Sequence, residues 1–122
     1  MRLSNLFRLG ALAGAVLFAS LGYAQKTSLT VYTALETDQL KAYEQGFYKA
    51  HPDIEIKWVR DSTGVVTAKL IAEKANPVAD AVMGVAASSL ALLDKQGMLE
   101  PYAPAGLAAI QAQYKDKKSP PA

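Results

Sequence analysis

The spacing of apolar positions changes along this chain, and each change marks an element. Leu9 to Leu21 is an unbroken run of apolar and small residues. From Leu29 the pattern is different: Leu29-Thr30-Val31-Tyr32-Thr33 is β-branched and aromatic and predicts a strand. Glu36-Thr37-Asp38 then offers helix N-cap candidates, and Leu40, Tyr43 and Phe47 recur at i, i+3 and i+7 among lysines and acids. That spacing predicts an amphipathic helix over residues 38–50, stopped by His51-Pro52-Asp53. Ile54, Ile56 and Trp58 alternate with Glu55, Lys57 and Val59, the period of a half-buried strand with Trp58 in the core. Asp61-Ser62-Thr63-Gly64 reads as a turn, eased by Gly64, that opens a second helix. Its inner face is Val66, Leu70 and Ile71, and its end falls near Asn76-Pro77. Residues 79–83 predict a short apolar strand interrupted only by Asp80. After Gly84, Ser88 or Ser89 caps a third helix, with Leu90 and Leu93 inward and Gly97 at its C′ position. Leu99-Glu100-Pro101-Tyr102 leads out into a segment rich in Pro, Ala and Lys.

The resulting order is βαβαβα with short connections, which predicts an α/β fold with a parallel sheet and crossover helices. Three parallel strands leave two open edges and need cover on both faces. The expectation is therefore the first part of a larger protein.

Charge changes the picture at the amino end. Arg2 and Arg8 precede the apolar run, no acid accompanies them, and Gly22 and Ala24 stand three and one places before a cut after Ala24. This is the order of a cleavable secretory signal peptide over residues 1–24. The apolar run is 13 residues long, short of the roughly 20 that cross a bilayer. Removing 24 of 122 residues leaves 98, enough for one small domain. It also removes two of 13 basic residues, so the remaining 11 balance the 11 acids. A neutral chain without a basic block gives no support to nucleic-acid binding. Lys115, Lys117 and Lys118 form its one cationic cluster, most simply a solvated end. The absence of cysteine excludes a lipid anchor, a disulfide framework, a thiolate zinc site and a cysteine nucleophile.

Chemistry in an open α/β sheet gathers beyond the carboxyl ends of its strands. Here those ends are Thr33-Ala34-Leu35-Glu36, Asp61-Ser62-Thr63-Gly64 and Gly84-Val85-Ala86-Ala87-Ser88. Each runs into a helix N-terminus, where backbone N–H groups and the helix dipole favour an anion. Hydroxyls of Thr33, Ser62, Thr63 and Ser88 add donors, and Glu36 offers a carboxylate to a ligand ammonium. Against this stands the ordinary reading of Ser, Thr and Asp before helices as N-caps, and of Glu36 as a partner of the helix dipole. His51 is the one histidine and reads as a solvated turn without a metal or triad partner. Asp53, Asp80 and Glu100 show no paired spacing for acid–base work, and no GxGxxG, Walker or GxSxG motif is present.

Taken as a set, these residues resemble the start of a type II periplasmic solute-binding protein. The matching stretches are Leu29-Thr30-Val31-Tyr32-Thr33-Ala34, Phe47-Tyr48-Lys49-Ala50-His51-Pro52 and Ile54-Glu55-Ile56. They continue with residues 76–84 (NPVADAVMG) and 92–102 (LLDKQGMLEPY). The branch is that of the 2-aminoethylphosphonate-binding and ferric-ion-binding proteins of ABC importers. The resemblance implies that residues 25–103 are part of an N-terminal α/β lobe and that residues 104–122 are a polar tail where a longer chain continues. It further implies a monomer in the periplasm, without cofactor or catalytic step, that delivers a small solute to an inner-membrane ABC permease.

Ferric-binding members commonly carry a histidine shortly after the first strand and a glutamate shortly after the third. Glu36 and Ala86 stand there instead, which moves the implied ligand away from iron and toward an organophosphonate, 2-aminoethylphosphonate. The implied ligand set is Thr33, Ala34, Glu36, Ser62, Thr63, Gly64, Ala86, Ala87 and Ser88. A ferric or other metal binder remains the alternative within the class. A periplasmic phosphonate or phosphate hydrolase, or a truncated product without transport function, stands outside it.

Overall fold

The computed structural model describes residues 26–118. The signal-peptide segment and its cleavage point lie outside the described residues. The elements are β1 (Thr27–Thr33), α1 (Thr37–Ala50), β2 (Ile54–Arg60), α2 (Thr63–Ala72), β3 (Ala81–Met83) and α3 (Ala87–Lys95). Two 3₁₀ turns, Ala105–Ala109 and Ala112–Tyr114, follow. The sheet order is β2-β1-β3 and both pairings are parallel, with Val31 opposite Trp58 and Ala81, and Thr33 opposite Arg60 and Met83. This is the α/β, βαβαβα parallel arrangement expected from the spacing of apolar residues.

β1 lies in the middle of the sheet, and its alternation sends neighbouring side chains to opposite faces. Val31, Tyr32 and Thr33 are all buried, so both faces of the sheet are covered at this strand. On one face the indole N–H of Trp58 donates to Glu44 Oε1 of α1 (2.6 Å). That bond holds Trp58 half-buried beneath α1 instead of fully in the core, because a covered indole N–H needs an acceptor. On the other face the Tyr32 hydroxyl donates to Glu73 Oε2 at the end of α2 (2.8 Å). α3 packs against α2, and Leu40, Val66, Thr67 and Leu93 complete the buried set among the described residues. At the outer edge of β2, the Ile56 N–H donates to the Tyr48 hydroxyl (3.2 Å) and so escapes an open sheet edge.

Three boundaries differ from the expectation. α2 ends at Ala72, because the bonds Lys74 N–H to Ile71 O and Asn76 N–H to Glu73 O tighten the following residues into turns ahead of Pro77. β3 starts at Ala81 because Asp80 makes its own link: its N–H donates to Thr30 O (2.9 Å) and its Oδ2 accepts the Thr30 N–H (2.8 Å). A carboxylate thus replaces a main-chain carbonyl at the start of the ladder. The N-cap of α3 is Ala86, without a side-chain cap bond, and Ser88 and Ser89 lie inside the first turn.

Gly97 does take the C′ role, with φ +67°. The Met98 N–H reaches Leu93 O (3.0 Å) and the Gly97 N–H reaches Asp94 O (2.8 Å), the two bonds of a Schellman end. The tail is not wholly solvated, since Lys118 is ion-paired with Asp94 of α3. Among the described residues no helix is long and apolar enough to cross a membrane.

The Tyr32–Glu73–Lys69 cluster sets a pH dependence. Hydrogen bonds from Lys69 Nζ (2.6 Å) and then from Tyr32 hold the Glu73 carboxyl below its usual range. Burial, followed by the Glu73 bond, raises the Tyr32 phenol. The folded state therefore binds the Glu73 proton less readily than the unfolded chain. The resulting stabilisation is complete above the ordinary carboxylate range and is lost as pH falls through the lowered value. Urea midpoints of the protein and of Glu73→Gln are expected to converge as the pH is lowered from neutral into that range. A gap between them that stays constant with pH would count against this assignment.

Candidate functional site

Parallel pairing puts the carboxyl ends of all three strands on one rim of the sheet. In a 2-1-3 order the connection from β1 to β2 and the one from β2 across β1 to β3 run in opposite senses, and the crevice between the ends of β1 and β3 is the usual ligand position. The nine residues assigned from sequence all lie on or beside this rim, but they are not equally placed for contact.

Thr33 is fully buried, and its Oγ1 accepts the Leu35 N–H (3.1 Å), so its hydroxyl shapes the loop after β1. Ala34 is half-buried and Glu36 is exposed as the N-cap of α1. Gln39 Oε1 accepts the Glu36 N–H (3.0 Å), which closes the returning half of a capping box. Ser62 is the N-cap of α2, where its Oγ accepts the Val65 N–H at 3.4 Å, and its own N–H is held by Asp61 Oδ1 at 2.7 Å. The carbonyl of Thr63 accepts the Thr67 hydroxyl (2.6 Å). Gly64 does not ease a turn: the helix has begun at Thr63, and the positive-φ glycines are Gly84 and Gly97. Ala86, Ala87 and Ser88 are exposed at the start of α3.

Three rim residues carry more of the geometry than the sequence pattern reveals. Arg60, the last residue of β2, donates from Nε to the Leu35 carbonyl (2.7 Å) and is ion-paired through Nη2 with Glu36. Gly84 has φ +65°, and a Cβ placed there would meet Leu35 Cδ2 at 2.6 Å and Cδ1 at 2.9 Å. Leu35 thus spans from the end of β2 to the end of β3. The alternation that puts Trp58 on the α1 face puts Arg60 there too, which is the signal that would have found it.

Three clefts among the described residues lie mostly off this rim. One of about 220 Å³ is lined by Leu70, Glu73, Pro77 and Met98, and a shallower one of about 620 Å³ runs along β3 beside Val82, Leu90, Leu99 and Tyr102. A third, of about 510 Å³, lies between α3 and residues 113–116 and touches Ala87. Among the described residues no group of three or more His, Cys, Asp or Glu side chains is placed to hold a metal. His51 is exposed at the end of α1, with its ring 4.9 Å from that of Phe47.

No protein-family model matches the chain. Over 118 residues it is 36% identical to a probable ABC transporter periplasmic-binding protein, y4fP, of Sinorhizobium fredii, covering 95% of this chain and 31% of that one. Among solved structures it is similar to the periplasmic binding protein P5PA, with a TM-score of 0.66 and 29% identity, over 73% of this chain and 28% of that one. It is also similar to the periplasmic binding protein AfuA from Actinobacillus pleuropneumoniae with exogenous fructose-6-phosphate bound, with a TM-score of 0.68 and 25% identity. That match covers 75% of this chain and 28% of AfuA. The chain therefore spans about a third of the length of the relatives it matches. Its fold is that of part of a periplasmic binding protein domain. All three relatives are described as periplasmic binding proteins, and y4fP as a probable component of an ABC transporter.

Proposed function

We propose that this chain is part of the solute-binding component of an ABC importer, and that its solute is 2-aminoethylphosphonate. In this reading residues 1–24 direct export and are removed, and residues 25–103 belong to the N-terminal lobe of a monomeric periplasmic protein. Residues 104–122 are the polar tail from which a longer chain continues. Solute is clamped against the rim and handed to a permease in the inner membrane, with no catalytic step. The observation that carries the proposal is the alignment of three parallel strand ends on one rim, each entering a helix N-terminus.

Phosphonate oxygens suit those N–H groups, and residues 33–34, 62–64 and 86–88 supply the first turns and loops that would surround them. Glu36 takes the ammonium. Arg60 does not exhaust that carboxylate, which offers about four lone-pair sites. The fructose-6-phosphate in AfuA supports a site for a phosphorus oxyanion, since both ligands carry that group.

Thermal unfolding of the protein as its host expresses it tests the proposal with three probes: 2-aminoethylphosphonate, fructose-6-phosphate and ferric ion. A ligand that binds only the native state must raise the midpoint. The phosphonate is expected to do so, and a shift with iron or with the sugar phosphate alone would overturn the ligand assignment. Glu36→Gln is expected to remove about 1.5–3 kcal/mol, roughly ten- to a hundredfold in Kd, from 2-aminoethylphosphonate binding. Ethylphosphonate, which lacks the ammonium, should be nearly unaffected. Equal losses for both ligands would show that Glu36 acts on the loop and not on the ammonium.

A further inference from the structure

We infer that Arg60 is a positioning residue of the rim, coupling the end of β2 to the end of β3 through Leu35. Leu35 is held at three points. Its N–H is taken by Thr33 Oγ1 (3.1 Å), its carbonyl by Arg60 Nε (2.7 Å), and its side chain fills the space over Gly84 that a Cβ would occupy. Arg60 is fixed in turn by its ion pair with Glu36, and the neighbouring Asp61 N–H donates to Thr33 O (3.2 Å). β2 and β3 are not adjacent in the sheet, and Leu35, two residues past the end of β1, links their ends.

The role assigned here is geometric. Exposed ion pairs add little to stability, and both Arg60 and Glu36 are exposed. A planar guanidinium that donates from two nitrogens in a fixed fork does something a point charge cannot: it sets the angle of the loop it grips. The first turn of α1 begins at Thr37, two residues after Leu35, so the direction in which its N–H groups point follows from where Leu35 sits. The third helix starts at Ala87, three residues beyond the Gly84 backbone that the Leu35 side chain covers. Removing the grip at β2 therefore shifts the start of α1, which Arg60 also holds through Glu36, and, through Leu35, the segment from Gly84 that leads into α3.

The amide spectrum of the protein as its host expresses it tests this without any ligand. In Arg60→Met the Gly84 cross-peak is expected to move, along with those of Leu35 and Glu36, while the unfolding midpoint stays close to that of the unsubstituted protein. In a Leu35→Ala background the same Arg60→Met change should leave Gly84 in place. A Gly84 cross-peak that does not respond to Arg60→Met, or that responds equally with Leu35 absent, overturns the coupling.

The effect on affinity rests on the solute-binding reading above. Arg60→Met is expected to weaken 2-aminoethylphosphonate binding roughly tenfold by misplacing the rim. Arg60→Lys should weaken it similarly, because lysine keeps the charge and loses the fork. Full affinity in Arg60→Lys would assign Arg60 to charge alone and overturn the positioning role. If the unsubstituted protein binds no phosphonate, the ligand assignment fails and the amide spectra alone decide the coupling.

Discussion

Replacing Tyr32 with alanine is expected to lower the stability of this protein by about 3–5 kcal/mol, the range for truncating a buried aromatic side chain. Tyr32 is 1% exposed, at the centre of the middle strand, and is the largest fully buried side chain among the described residues. Few others share the load: the buried apolar residues there are Val31, Tyr32, Leu40, Val66 and Leu93. Domains have only about 5–15 kcal/mol in total, so losing this ring takes a large share. The loss has two parts. The ring fills the space beneath α2, where Lys69 Nζ lies 5.5 Å from its centroid, and the hydroxyl holds Glu73 at the end of that helix. Tyr32→Phe keeps the first part and removes the second, so its urea midpoint should fall between those of the parent protein and Tyr32→Ala. If Tyr32→Phe were as unstable as Tyr32→Ala, the hydroxyl bond and not the packed ring would dominate.

Most of the fold was legible because its elements are set by local period. Leu29 to Thr33, the i, i+3, i+7 spacing of Leu40, Tyr43 and Phe47, and the alternation from Ile54 to Trp58 each point to one element, and their order implies parallel pairing. Gly97 was legible as well, since a glycine after a helix has a restricted set of roles. The end of α2 is set locally, by turns ahead of Pro77, whereas the start of β3 is set at long range. The start of β3 depends on Asp80 reaching Thr30, 50 residues away in sequence, and no local window contains both. The N-cap of α3 comes two residues after Gly84, where the chain turns at φ +65° beneath the Leu35 side chain.

The candidate site divides in the same way. Its outline follows from strand ends, which the pattern locates, whereas its internal contacts follow from register, which the pattern does not contain. Glu36 and Arg60 become partners because Thr33 lies opposite Arg60, 27 residues on. Thr33 and Ser62 stand out in the sequence for their hydroxyls, yet a residue type says nothing about whether its oxygen is already engaged. Both prove to serve the backbone: Thr33 the loop, Ser62 the helix start. The first turns of the helices and the exposed positions at Glu36 and Ala86 to Ser88 thereby carry more of the proposed ligand contact than the buried hydroxyl of Thr33.

Gly64 and Gly84 look alike in sequence, each standing between a strand and a helix, and only one of them is constrained. Gly84→Ala is expected to cost about 2–4 kcal/mol, combining the strain of an L-residue in the left-handed region with overpacking against Leu35. Gly97→Ala provides the comparison, because Gly97 has nearly the same φ (+67° against +65°) but nothing within 4 Å of an added Cβ. It should cost only the backbone part, about 1 kcal/mol. Gly64→Ala, at a helical position with open space around it, should be neutral or slightly stabilising. The difference between the Gly84 and Gly97 substitutions measures how firmly Leu35 is held. Adding Leu35→Ala to Gly84→Ala should recover that difference and leave the backbone strain. Urea midpoints for these variants check the whole series. Equal costs at Gly84 and Gly97 would mean that Leu35 yields freely, and a side chain that yields freely cannot transmit the position of Arg60 across the rim.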